Sequence, residues 1–246
     1  MTNPTSLLLL PGLMNDGRVW DPIRKSMPDE RHLVTASTHL TDSIAATAAS
    51  AIASMPPGKF GVAGFSLGGY VAIEVCRQAP ERVAGIALLD TGARADSEEA
   101  AQNRKRMVAA LGSGSASFAQ IAGGFAPRLV HEAHANDSQL IDLLGDMARS
   151  VGSDGFVRQQ TAAMNRLDGR EVLKSLRCPA LVLCGREDQI TPPALSEEMA
   201  GLLAGQVDFV VIDRCGHMST LEQPEAVSAA FVRWTTVVDA EATSGL

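Results

Sequence analysis

The stretch Phe60-Gly61-Val62-Ala63-Gly64-Phe65-Ser66-Leu67-Gly68-Gly69 decides the reading of this chain. Its apolar start, 60–63, reads as a buried strand, and the pattern from about 66 to 79, ended by Pro80, reads as a helix. Between them G-x-S-x-G, with an extra glycine, marks a very sharp strand-to-helix turn. A serine there takes a strained backbone, and the residues two before and two after it crowd one another. Gly64 and Gly68 are therefore expected to need the absence of a side chain. The turn pushes Ser66 Oγ into the open above the sheet, at a helix N-terminus whose partial positive charge favours a developing anion. Ser66 is the expected nucleophile.

The same alternation extends in both directions. Leu7–Leu10 reads as a buried strand cut by Pro11-Gly12, and 32–35 as a weaker strand. Residues 41–55 form an Ala-rich helical pattern with Thr41 as N-cap and Pro56-Pro57-Gly58 as stop. Val83–Leu89, 180–184 and Val207–Ile212 are further strands. Helices follow Pro192-Pro193 and run from about 224 to 238. Strand and helix in alternation imply parallel strands joined by crossover helices, and continuous apolar runs imply strands covered on both faces. The expected fold is α/β, a mostly parallel doubly wound sheet of about six strands.

Residues 91–174 break the pattern. They open polar and charged, pass through Gly112-Ser113-Gly114-Ser115, and continue with helical patterns at 139–150 and 155–164. No strand is expected there. We read 92–174 as a helical cap inserted into a core made of 1–91 and 175–246, lying over the carboxyl ends of the strands.

The 246 residues suit one such domain, and 46% apolar residues supply its core. Aromatics are only 4%, so that core is built mainly from Ala, Val, Leu and Ile. A net charge of −7, with both signs scattered, argues against a nucleic-acid surface. Cys76, Cys178, Cys184 and Cys215 form no CxxC pair and no zinc spacing. Cys178 and Cys184, at either end of one strand, would lie about 20 Å apart, so buried free thiols in a reducing compartment are expected. The first residues lack a basic leader region, and Leu7–Leu10 is too short to cross a membrane. A cytoplasmic protein with no membrane partner is the expectation, and self-association is left open. With no HExxH, no phosphate loop and no GxGxxG with an acidic partner, neither a metal nor an organic cofactor is expected.

Serine needs a base. Of five histidines, His217 follows the last strand in Asp213-Arg214-Cys215-Gly216-His217-Met218, at the sheet edge where parallel strands place ligands. Gly216 is expected to let the chain turn there. The imidazole then needs a carboxylate at its other nitrogen. Asp188, in Cys184-Gly185-Arg186-Glu187-Asp188-Gln189-Ile190, also follows a strand and completes the order Ser…Asp…His. Glu187 and Asp90 are its rivals, and Asp213 is too close in sequence to His217. Donors for an oxyanion are expected from the backbone N–H of Leu67 and, in the loop Pro11-Gly12-Leu13-Met14-Asn15-Asp16-Gly17, from Leu13, with Met14 as the other choice.

Three segments now carry a resemblance: the serine turn, Gly185-Arg186-Glu187-Asp188-Gln189-Ile190-Thr191-Pro192-Pro193, and Cys215-Gly216-His217-Met218-Ser219 with Glu222-Gln223-Pro224-Glu225. Together they resemble the α/β-hydrolase superfamily over nearly the whole chain. Within it the chain is similar to small capped esterases, 3-oxoadipate enol-lactonases and cofactor-free haloperoxidases. The resemblance implies a hydrolase that cleaves a small carboxylic ester or lactone through an acyl-enzyme, with substrate selection in the cap. C–C bond hydrolysis or perhydrolysis by the same three residues, and a non-catalytic ligand-binding protein on the same fold, are the alternatives. Dehalogenases and epoxide hydrolases are disfavoured, since they carry Asp where this chain has Ser66. Two departures stand out. Pro11-Gly12 replaces the usual His-Gly, removing a side chain that often buttresses the oxyanion loop, and the family's first two strands are expected to be missing. Met14, Met164 and Met218 are the expected substrate contacts. Arg158, Arg166, His131 and His134 read as solvated cap positions, and Trp20 and Trp234 as helix anchors.

Overall fold

The computed structural model describes residues 4–244. Six strands form one sheet: β1 (Leu7–Leu10), β2 (Leu33–Thr35), β3 (Phe60–Phe65), β4 (Val83–Leu89), β5 (Ala180–Gly185) and β6 (Val207–Ile212). Their order is β2-β1-β3-β4-β5-β6, and all five pairings are parallel. The sheet is wound in two directions from β1. The serine turn at the end of β3 therefore lies in the middle of the row, flanked by the ends of β1 and β4.

The pleat explains the two cores. Leu8, Leu10, Val62, Ile86, Leu88 and Val182 pack on one face with helices α2 (Ile44–Ala53) and α3 (Leu67–Gln78). Their neighbours Leu7, Leu9, Ala63, Phe65, Ala87 and Leu89 face the other way, because successive side chains of a strand alternate faces. There they meet α1 (Asp21–Ser26) and the long terminal α10 (Pro224–Ser244). Trp20 and Trp234 are buried on this side, the Trp234 indole donating to Pro179 O at 3.2 Å. The two edge strands depart from the fully covered pattern: β2 is half-buried along its length, and β6 leaves Phe209 exposed.

Four α-helices fall between β4 and β5: α4 (Glu98–Gly112), α5 (Phe118–Leu129), α6 (Ser138–Met164) and α7 (Arg170–Ser175), with a 3-10 turn at Glu132–His134. No strand occurs in this span. The two helical patterns at 139–150 and 155–164 are the arms of α6, which breaks at Gly152 (φ 71°, ψ 173°). The remaining α-helices among the described residues are α8 (Pro193–Leu202) and the single turn α9 (Ser219–Glu222). At the start of α2 the cap is Ser43, whose hydroxyl accepts from the Ala46 N–H at 3.3 Å. Thr41, the residue expected there, instead bonds Ser43 O and the Thr47 hydroxyl.

The four cysteines are free thiols; Cys178 is only half-buried, the others buried. Burial pushes the thiols of Cys178 and Cys184 up to about 11. Among the described residues no helix is long and apolar enough to cross a membrane.

Candidate active site

Ser66 joins β3 to α3 with φ 52° and ψ −119°, a conformation that surrounding contacts have to enforce. Its N–H donates to Leu89 O (2.9 Å), and its carbonyl accepts from the Thr91 hydroxyl (2.7 Å) and the Gly69 N–H (2.9 Å). A Cβ on Gly64 would strike the Gly68 carbonyl, the crowding the sequence predicts. At Gly68 the obstacle is different: the Leu10 carbonyl at the end of β1. That glycine is needed for the approach of helix to strand.

His217 is carried by the loop after β6. The left-handed residue of that loop is Arg214 (φ 53°), not Gly216. Gly216 serves close packing, since a Cβ there would lie 2.7 Å from His131 N and Val130 C. The loop is tied to the end of α5. The N–H groups of His217 and Met218 donate to Leu129 O (2.8 and 3.2 Å), and Glu222 accepts from the N–H groups of Met218 (3.0 Å) and His131 (2.6 Å).

The three side chains converge. His217 Nε2 lies 2.9 Å from Ser66 Oγ, and His217 Nδ1 lies 2.8 Å from Asp188 Oδ2. An ionised carboxylate only accepts, so the proton sits on Nδ1 and the lone pair of Nε2 faces the serine hydroxyl. Asp188 is oriented by the Thr191 hydroxyl, which donates to Oδ2 (2.6 Å), and by the N–H groups of Ile190 (2.7 Å) and Thr191 (2.9 Å), which donate to Oδ1. Burial would raise the Asp188 pKa, but the charge and hydrogen bond of His217, with those from Thr191, hold it below the ordinary value. Burial likewise would lower the His217 pKa, but the charge and hydrogen bond of Asp188 outweigh it and hold the ring above the ordinary histidine value. The two rival carboxylates, and Asp213, are engaged elsewhere. Glu187 accepts from the Cys215 N–H at 3.0 Å, and Asp213 pairs with Arg186. Asp90 is fully buried and bonds the Gly185 N–H (2.9 Å) and the Ser219 hydroxyl.

Leu67 opens α3, so its N–H has no partner inside the helix. Among the described residues neither Leu67 N–H nor Leu13 N–H meets a protein acceptor. Met14 N–H is already spent on Gln159 Oε1 at 3.0 Å, which removes it as the second donor. Leu13, Met14, Ser66, His217 and Met218 line a cavity of about 380 Å³ whose other walls come mainly from α5 and α6. Those walls are largely apolar, with Phe118, Phe125 and Leu144 among them, while Asp142 and Arg149 add charge.

Met164 does not line this cavity; it is the last residue of α6, twelve positions past the break at Gly152. Arg158 and Arg166 do not line it either. Arg158 donates to His39 O (2.8 Å), and Arg166 pairs with Asp96 and stacks 4.0 Å from the Tyr70 ring centre. His131 and His134 are likewise absent from its walls. The sequence reading missed Thr191, Glu222 and Gln159. Thr191 and Glu222 lie inside quoted motifs, so a signal existed; Gln159 sits in a helix with no motif. Among the described residues no cluster of three or more His, Cys, Asp or Glu side chains has metal-binding geometry.

The chain is similar to a pimeloyl-[acyl-carrier protein] methyl ester esterase of Neisseria meningitidis serogroup B, at 30% identity over 76% of this chain and 72% of the relative. A solved thermophilic esterase from Thermogutta terrifontis superposes with a TM-score of 0.84 at 31% identity, covering 97% of this chain and 92% of that one. An enol-lactonase from Burkholderia xenovorans LB400 shares the fold at 19% identity and a TM-score of 0.82, over 96% and 92% of the two chains. The sequence model of the alpha/beta hydrolase family matches residues 7–230. On that match, and with strands, turns and loops arranged as described, the chain belongs to the α/β-hydrolase family.

Proposed function

We propose that this enzyme is a serine hydrolase of small carboxylic esters or lactones with an apolar portion, working through an acyl-enzyme on Ser66. The single observation that carries the reading is the relay from Ser66 Oγ through His217 to Asp188, at 2.9 and 2.8 Å, beside two unclaimed backbone N–H groups. His217 Nε2 takes the hydroxyl proton as Oγ attacks the ester carbonyl. Leu67 and Leu13 N–H hold the oxyanion, each donor worth roughly 3–4 kcal/mol in the transition state. The imidazolium then protonates the leaving alcohol, and the neutral ring activates water to release the acid. Residues 92–174 act as a cap whose α5 and α6 supply the apolar walls that receive the substrate. The esterase relatives support an ester as the bond cleaved.

Ser66→Ala should fold normally and lose activity on p-nitrophenyl esters by about 10⁴ or more in kcat. A fluorophosphonate probe should label the parent at Ser66 and leave the variant unlabelled. Activity retained by the variant, or a parent that does not label, would rule the reading out; the second result would favour a ligand-binding protein on this fold.

A further inference from the structure

Gln159 is fully buried, yet it comes from α6 and uses every face of its amide on residues far away in sequence. Its Nε2 donates to Gly12 O (3.2 Å) and to the Thr38 hydroxyl (3.1 Å). Its Oε1 accepts from Met14 N–H (3.0 Å). Gly12 and Met14 flank Leu13, so one side chain grips the loop on both sides of that residue.

The grip fixes a direction. The peptide between Gly12 and Leu13 is trans, as are all peptides described, and in a planar trans peptide the C=O and N–H point opposite ways. Holding the Gly12 carbonyl toward Gln159 therefore turns the Leu13 N–H away from Gln159. Asn15 N–H donates to the same Gly12 carbonyl at 3.2 Å, closing a tight turn around it. Met14 pays for that turn with a left-handed backbone (φ 57°), a conformation that relaxes unless its neighbours hold it. The same bond withdraws Met14 N–H from competition. A second cleft against the C-terminal end of α6, lined by Tyr70, Glu74, Arg77 and Arg166, has its cations already committed to protein partners and offers no comparable construction.

We propose that Gln159 is a positioning residue that aims the Leu13 N–H at the developing oxyanion and so couples the helices over the site to its chemistry. This rests on the hydrolase reading above, in which Leu13 is an oxyanion donor. Gln159→Leu keeps a side chain of similar bulk but breaks all three bonds. Glutamate keeps the shape and the acceptor for Met14 N–H but, when ionised, presents an acceptor to the Gly12 carbonyl. Both variants should lose roughly 10- to 100-fold in kcat, up to the lower end of the about 10²–10³ that removing one oxyanion donor costs. KM should stay near the parent value, because the apolar walls that bind the ground state are untouched.

The decisive measurement uses an alkyl trifluoromethyl ketone. Ser66 Oγ adds to its carbonyl carbon, the hydroxyl proton passes to His217, and the oxyanion lies where the ester's would. Its inhibition constant should rise in the variants by the same factor as kcat/KM falls, while inhibition by the matching carboxylic acid product stays constant. If the ketone binds the variants as tightly as it binds the parent, or if the product acid weakens to the same extent, Gln159 only supports the fold and the proposal fails. Should the leucine variant not fold, the nearly isosteric Gln159→Glu carries the test. A parent that Ser66→Ala does not inactivate would sink the hydrolase reading itself. Ser66→Ala inactive with Gln159→Glu fully active would sink only this inference.

Discussion

Two buried aspartates stand near one imidazole, and their surroundings give them opposite chemistry. Asp188 accepts three hydrogen bonds besides that from His217 and is held ionised. Asp90 is buried beside the negative charge of Asp188, and both effects, burial first, push its pKa well above 3.8. An acid raised on folding stabilises the fold fully only below its unfolded value, and that contribution is lost as pH climbs toward the folded value. Asparagine at 90 can accept from Gly185 N–H and donate to Ser219 Oγ, matching a protonated carboxyl. Asp90→Asn should therefore keep its activity and melt increasingly above the parent as pH rises from about 4; a constant Tm difference across that range would refute a protonated Asp90. His217 gives the kinetic counterpart. It works as a base only when neutral and its pKa is raised, so kcat/KM should rise with pH along a limb centred above 6.5. A limb centred below that value would mean that burial, not Asp188, dominates the ring.

At the scale of elements the serine turn depends on three segments at once: β3, the start of α3 and the end of β1. Gly68→Ala drives a methyl into the Leu10 carbonyl, backbone that cannot step aside as a side chain would. Overpacking of this kind costs about 1–3 kcal/mol and sometimes more. A thermal melt should show it as a lower Tm with weaker Ser66 labelling, whereas an unchanged Tm would mean that the helix slides freely. The strand segments and the three converging side chains were legible in the sequence because local signals report them: glycines at a forced turn, apolar runs, Pro stops. Their partners were less so. Thr41 lost the cap of α2 to Ser43, a choice between two similar hydroxyls two residues apart. Gly216 was read as a turn residue although its task is to let Val130 and His131 come close, which no local pattern records. Gln159 was silent, since a glutamine in an amphipathic helix looks solvated until the loop 147 residues away is folded against it.

At the scale of the molecule the cavity belongs to neither layer alone. The sheet edge supplies Leu13, Ser66 and His217, and α5 and α6 close over them. Selectivity can then be changed from the helices without touching the chemistry, and Gly123 is the place to do it. It lies in α5 against the cavity, and a Cβ there would meet no atom within 4 Å. Gly123→Leu adds an apolar side chain at this wall without a clash, and by replacing glycine inside a helix it gains up to about 1 kcal/mol of helix propensity. Gly123→Leu should keep or raise Tm and hydrolyse p-nitrophenyl acetate as the parent does, while kcat/KM for the octanoate and longer esters falls steeply. Equal losses on short and long esters would show that α5 acts on the catalytic groups, through the Leu129 carbonyl that holds the His217 loop. Long esters unaffected would show that the acyl chain leaves the site by another wall.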